Sequence, residues 1–339
     1  MAGPQRVNGH RPNGLLNILD PSLKLAPHPT QEDVDFDLVD GLSSIVRLSS
    51  KVPEDAFSAR SLGTERQGNA ILLDDEGILL TIGYLVVDAH VITLHARGGQ
   101  DVHAELVGCN HESGFALLHT LSPLDLPTAS IGTANGLDEG EPVIIAAYGG
   151  ADHAISAAIV SRREFAGSWE YLLDSAIFTA PIHPNWSGAA LLRTDGSLCG
   201  VGSLWVNDAE EDKNESPGNM FVPVDLLPPI YEHMVSTGLA QGRHRPWLGM
   251  YTAEAMNRLF VSGIIPNAPA DLAGVEAGDL VYGIDDEPTT SLAGLYRKLW
   301  SAGDAGTEIV LNLRRDGEDI DVNVETDSRY SFLEKRANH

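Results

Sequence analysis

Short apolar runs recur from residue 42 to about residue 206, each cut off within 8 to 15 positions by Gly, Asp, Asn or Pro. SSIVRLSS alternates polar with apolar residues, and GNAILLDDEGILLTIGYLVV reads as a β-hairpin turning at Asp74-Asp75-Glu76-Gly77. HVITLHA, HAELVGC, FALLHTL, EPVIIAAYG, AISAAIVS, YLLDSAIF, GAALLR and LCGVGSLWV continue the pattern. A helix needs apolar residues every three or four positions, and little before residue 220 offers that spacing. Many short strands with regular punctuation close into a barrel or stack as a sandwich, so the first part of the chain is expected to be mainly β.

The pattern changes after residue 220. PVDLLPPIYEHMVSTG reads as a helix with a Pro-rich entry and a stop at Gly238. Beyond the polar stretch QGRHRP, the runs RLFVSGIIP, GDLVYGIDD, TEIVLNLRR and DIDVNVET read as strands. PADLAGV and SLAGLYRKLW read as helices, the second capped by Ser291 with apolar residues at 292, 295, 296, 299 and 300. A small α+β domain follows from these signals. The expected organisation is a flexible or draped arm over 1–35, a β domain over 36–226, a linker helix over 227–244, the α+β domain over 245–328 and a tail over 329–339. Residues 207–219 form a solvated acidic loop.

Charge narrows the partners. Forty-eight Asp and Glu against 22 Lys and Arg leave a net charge of −26. Such a surface repels phosphate backbones and anionic lipid, so neither nucleic acid nor a membrane is expected as a partner. Cys109 and Cys199 lie in apolar strand-like runs, which favours buried free thiols over a disulfide. No run reaches the length of a membrane span, and the opening MAGPQRVNGHRPNG has no apolar segment. A cytoplasmic location is the expectation, unless a leader once preceded Met1.

Nucleophilic catalysis by serine needs an imidazole to take the hydroxyl proton, a carboxylate to orient it and donors for the oxyanion. Three stretches bear on that chemistry. The first is Gly77-Ile78-Leu79-Leu80-Thr81-Ile82-Gly83-Tyr84-Leu85-Val86-Val87-Asp88-Ala89. The second is Val107-Gly108-Cys109-Asn110-His111-Glu112-Ser113-Gly114-Phe115-Ala116-Leu117-Leu118, and the third is Ile182-His183-Pro184-Asn185-Trp186-Ser187-Gly188-Ala189-Ala190-Leu191. They resemble, in order, the HtrA/Deg family patterns G-Y-I-L-T-N-N-H-V-V-E-G-A, V-G-x-D-x-x-T-D-L-A-L-L and I-N-P-G-N-S-G-G-P-L.

That resemblance implies a trypsin-like double six-stranded β-barrel. It puts Tyr84 (or Leu85, in a register shifted by one) where the family has its general-base His, and Gly114 where it has the orienting Asp. It leaves Ser187 at the nucleophile position. Asn185 replaces the Gly whose N–H helps to form the oxyanion hole. Neither Tyr nor Leu acts as imidazole does near neutral pH. Trp186 either plugs the cleft or packs on the barrel rim. His183, four residues before Ser187, and His90, His95, His103 and His153 are read as surface or satisfied histidines rather than substitute bases or metal ligands; no metal or cofactor is expected.

The α+β domain resembles an HtrA-type PDZ domain through Arg245-Pro246-Trp247-Leu248-Gly249-Met250, Val261-Ser262-Gly263-Ile264-Ile265-Pro266-Asn267-Ala268-Pro269-Ala270 and Ala273-Gly274-Val275-Glu276-Ala277-Gly278-Asp279-Leu280-Val281. Such domains add a peptide strand to a sheet edge and hold its terminal carboxylate on backbone N–H groups. The resemblance assigns that loop to Trp247, Leu248, Gly249 and Met250, and the groove wall to Leu295 and Leu299. The partners implied are protein or peptide C-termini, within a larger multi-subunit complex or a homo-oligomer such as a trimer; the alternative is a PDZ fold that only braces the barrel. With two triad side chains absent, the expectation is a non-catalytic pseudoprotease, not an enzyme, serving as scaffold, adaptor or chaperone-like subunit. The alternative is a serine endopeptidase or hydrolase using Ser187 with an unconventional base.

Overall fold

The structure, a computed structural model, describes residues 27–211, 215–238 and 244–337. Its chain divides into two compact units. The first holds the described residues up to Arg163 and from Ser175 to Gly238, and the second holds Glu164–Asp174 together with the described residues from His244 on.

The first unit is two closed six-stranded antiparallel barrels. One joins β1 (Ile45–Lys51), β2 (Glu65–Leu72), β3 (Ile78–Ile82), β4 (Val91–His95), β5 (Asp101–Cys109) and β6 (Phe115–Thr120) in the order β1-β2-β3-β6-β5-β4. The other joins β7 (Pro142–Ala146), β8 (Ala154–Gly167), β9 (Tyr171–Ala180), β10 (Ala190–Leu192), β11 (Leu198–Val206) and β12 (Gly218–Pro223) in the order β10-β11-β12-β9-β8-β7. Closure leaves no strand edge to aggregate. β3 and β10 are buried along their whole length, so they read as apolar runs without alternation. Val46, Leu48, Leu72, Leu79 and Leu118 fill the first barrel, and Val143, Ile145, Ile155, Ile177, Leu191 and Phe221 fill the second. Two one-turn helices, α1 (Leu38–Gly41) and α2 (Ala59–Leu62), flank β1, the former capped by the Asp37 carboxylate on the N–H groups of Val39 and Asp40.

Some boundaries differ from the sequence reading. Residues 1–26 of the expected arm lie outside the described residues, but the rest of it is tied down. Ser156 N–H donates to Pro27 O at 3.1 Å, and Asp35 N–H donates to Thr194 O at 2.8 Å. The linker helix is α3 (Pro228–Thr237), with Gly238 in the left-handed conformation (φ 73°) as its stop; residues 239–243 fall outside the described set.

The second unit is a sheet in the order β13-β14-β15-β17-β18, from β13 (Met250–Ala255), β14 (Arg258–Ile264), β15 (Leu280–Ile284), β17 (Glu308–Arg315) and β18 (Glu318–Glu325), with β16 (Glu287–Pro288) paired to β15. Helices α4 (Pro269–Leu272) and α5 (Leu292–Ser301) accompany it. Ser291 Oγ accepts the Gly294 N–H at 3.1 Å, the cap expected for α5. Residues expected as a tail instead form α6 (Arg329–Ala337), whose Phe332 ring lies tilted against that of Trp247 with centroids 5.0 Å apart.

Candidate functional site

The third stretch above, from His183 to Gly188, makes a turn whose backbone is fastened to the first barrel by Asn69. Asn69 on β2 is buried, and each of its polar groups is used. Its backbone N–H and Nδ2 both donate to Ser187 O, at 2.8 and 3.0 Å, and Nδ2 also donates to Asn185 O at 3.0 Å. Its Oδ1 accepts the Tyr148 N–H at 2.8 Å, and its carbonyl accepts Thr81 Oγ1–H at 2.7 Å. The turn closes at Gly188 (φ 71°), where a Cβ would stand 2.1 Å from the Asn69 carbonyl oxygen, so no larger residue fits. Sequence reasoning missed Asn69. A single polar residue in an apolar strand, in GNAILL, was its only trace.

Ser187 is buried, and its Oγ lies 2.7 Å from Tyr84 Oη. Tyr84 sits in the single helical turn Gly83–Leu85 after β3 and donates its own hydroxyl proton to Ser203 O at 2.6 Å. A phenol has one proton, and a carbonyl can only accept. The Ser187 hydroxyl therefore donates to Tyr84, and Tyr84 donates onward. Burial raises the phenol above its ordinary value of 10.0, against the hydrogen bonds from Ser187 and Trp186. Leu85 packs in the core of the first barrel instead.

Two groups hold the Tyr84 turn from behind. Gly114 O accepts the Gly83 N–H at 2.7 Å, so this residue adjoins the turn but brings no side chain to it. Arg66, which the sequence reading overlooked, is fully buried and donates from Nη1 to Tyr84 O (2.8 Å) and Val87 O (2.9 Å), and from Nη2 to Ser58 Oγ (2.7 Å). Burial brings the guanidinium down to about 10, with Asp88 acting the other way, so it stays charged at neutral pH.

The histidines are accounted for elsewhere. His183 Nε2 donates to His153 O at 3.0 Å, and Nδ1 accepts the Asn185 N–H at 3.0 Å. Burial pushes this imidazole down to about 4, so it is a neutral brace for the turn. The same bond engages the Asn185 N–H, at the position whose N–H the resemblance implies helps to form the oxyanion hole. His95 bonds Ser49 Oγ (2.9 Å) and Asp101 (2.6 Å), and His103 lies 3.5 Å from Thr93 Oγ1. His90 is exposed on the first barrel. Trp186, left open between plug and rim, is buried. Cys199 is a buried thiol, pushed up to about 12 by burial, whereas Cys109 is only half-buried.

In the second unit the Leu248, Gly249 and Met250 N–H groups all point at one carboxylate, that of Glu170. Trp247 does not join them; its N–H donates to Asp327 O at 2.9 Å. Gly249 (φ 73°) is required here, because a Cβ would stand 2.2 Å from that of Ala268. Leu295 and Leu299, expected on the groove wall, are fully buried with Leu248 and Met250 in the core.

A model described as "Trypsin-like peptidase domain" matches residues 68–201, and one described as "PDZ domain" matches 246–326. Periplasmic serine endoprotease DegP of Escherichia coli (strain K12) is 27% identical over 273 residues, covering 76% of this chain and 56% of DegP. Periplasmic pH-dependent serine endoprotease DegQ of the same organism is 25% identical over 283 residues, covering 79% of this chain and 60% of DegQ. The chain thus spans somewhat more than half the length of these relatives. Among solved structures, the HtrA-type protease AlgW with decapeptide superposes with a TM-score of 0.52 at 18% identity, covering 87% of this chain and 99% of AlgW. Two expectations are corrected by these findings. The reading as a non-enzyme is overturned by the peptidase-domain match and by relatives named as serine endoproteases. The cytoplasmic reading is overturned by relatives named as periplasmic; no described helix is long and apolar enough to cross a membrane. Two closed barrels joined at Ser187, a following PDZ domain and these matches together place the chain in the HtrA/Deg family of trypsin-like serine proteases.

Proposed function

We propose that this chain is a serine endopeptidase in which Ser187 is the nucleophile and Tyr84 takes its proton, with the PDZ domain recruiting peptide C-termini. The observation that carries the reading is the 2.7 Å contact between Ser187 Oγ and Tyr84 Oη. A base must lie within hydrogen-bond reach of the proton it removes, and Tyr84 does.

The neutral phenol is a poor acceptor, because the relay from Ser187 through Tyr84 ends on the Ser203 carbonyl, which keeps no proton. The active form is therefore the phenolate. As Ser187 Oγ bonds to the substrate carbonyl carbon, its proton passes to Tyr84 Oη, and the carbonyl π electrons move to oxygen. When the C–N bond breaks, the phenol returns that proton to the leaving amine. Oxyanion stabilisation further requires the Asn185 N–H to turn away from His183. Arg66 supports the reading as a fixed positive charge behind the Tyr84 turn, and Asn69 supports it by fixing the Ser187 backbone.

Incubation with a fluorophosphonate probe at pH 9, followed by mass mapping, tests the assignment. Label is expected on Ser187, to disappear in Ser187→Ala, and to slow about 10²-fold or more in Tyr84→Phe. An unlabelled Ser187 would remove the basis for the reading.

A further inference from the structure

The far end of the β8–β9 hairpin carries Phe165-Ala166-Gly167-Ser168-Trp169-Glu170 and belongs to the second unit. Its last residue is buried at φ 58°. One oxygen of the Glu170 carboxylate accepts the N–H groups of Gly249 (2.8 Å), Leu248 (3.2 Å) and Met250 (3.3 Å), and the other accepts Leu248 at 3.0 Å. Two residues upstream, Ser168 O accepts the Thr252 N–H of β13 at 2.9 Å. Tyr296 of α5 donates to Gly167 O at 2.7 Å and accepts the Glu170 N–H at 3.3 Å. Ala166 and Leu172 pack on the apolar core, and Arg297 of α5 pairs with Glu164 and with Asp174.

A carboxylate on three successive backbone N–H groups, with its chain hydrogen-bonded to the neighbouring strand two residues earlier, is the arrangement by which a peptide C-terminus is held at a sheet edge. Here a side chain of the same molecule supplies the carboxylate. We propose that Glu170 stands in for a partner's C-terminal carboxylate, so that the hairpin tip occupies the PDZ groove as a tethered competitor. The partner is a peptide or protein with a free C-terminal carboxylate and an apolar last side chain, matching the apolar residues Leu248, Met250 and Leu295 around the loop. It binds by displacing the tip.

Burial opposes the negative charge of the docked carboxylate. Burial pushes Glu170 up to about 7, while its three backbone donors and Arg329 of α6 act in the opposite direction. Tyr251 of β13 and Tyr296 of α5 also face it, each raised by burial and by the Glu170 charge. A carboxyl that is raised when docked takes up a proton on docking. The tip is therefore held most firmly below about pH 4.5 and is progressively loosened up to about pH 7.

This inference rests on the groove part of the reading above and not on Ser187, so it is tested in full-length Ser187→Ala protein, where failure of the catalytic assignment changes nothing. The probe is fluorescein-labelled Phe-Ala-Gly-Ser-Trp-Val with a free C-terminal carboxylate, read by anisotropy at pH 7.5 alongside its C-terminal amide. Glu170→Ala is expected to tighten acid-probe binding at least tenfold, with the amide binding neither protein. Equal Kd values with and without Glu170, no binding to either, or equal binding of acid and amide would overturn the proposal. A second readout covers a variant that fails to fold. Millimolar acid probe added to the chain that retains Glu170 should accelerate amide hydrogen exchange in 165–171, and unchanged exchange there would mean a permanent brace.

Discussion

Ser187 Oγ meets a phenol, Tyr84 Oη, at 2.7 Å, where the resemblance described above implies an imidazole. The Ser187 turn is fixed by a neighbour as well as by that hydrogen bond. Asn69 donates to the carbonyls of both Asn185 and Ser187. Asn69→Ala should therefore cost about 3 kcal/mol in urea unfolding, since it strands buried carbonyls and the Tyr148 N–H, and should slow Ser187 labelling as well. A change below 1 kcal/mol would mean that the turn is held by other means. His183 gives a second check. Its folded value of about 4 lies below the ordinary 6.5, so the stability it confers is present above pH 6.5 and is lost as pH falls towards 4. The difference in unfolding free energy between the parent chain and His183→Gln should shrink by about 3 kcal/mol between pH 7 and pH 4. Ser187 stands out in the sequence only through the family-like motif around it, Asn185-Trp186-Ser187-Gly188. Asn69 and Arg66 do not, because a buried polar side chain leaves no local pattern and is explained only by distant backbone groups.

At the scale of elements, strands were legible wherever apolar runs met turn residues. The hairpin turning at Asp74–Gly77 and the capped helix α5 both appear where alternation, Gly and Ser291 put them. Ser291→Ala should cost about 1 kcal/mol of second-unit stability, measured by chemical denaturation. The β8–β9 hairpin shows the opposite case. AISAAIVS and YLLDSAIF announce strands, but nothing in RREFAGSWE says that β8 runs on to Gly167 or that Glu170 meets the 248–250 loop. Such a contact is decided by a groove more than 75 residues away in sequence, which no local period encodes. Leu295 and Leu299 are buried on α5; an apolar stripe at helical spacing marks that face, and spacing does not separate core from groove.

For the whole molecule, the order of domains and the mainly β architecture were accessible from the sequence, whereas activity was not decided by counting absent triad residues. The account turns on Tyr84 as the proton acceptor of Ser187. A buried phenol raised above 10.0 populates its phenolate about tenfold more for each pH unit below that value. The decisive measurement is the rate of Ser187 modification by a fluorophosphonate from pH 7 to pH 10, corrected for reagent hydrolysis, in the parent chain and in Tyr84→Phe. A rise of about tenfold per unit in the parent chain, absent in Tyr84→Phe, is the predicted result; a profile that is flat in the parent, or equally steep in both proteins, would contradict it.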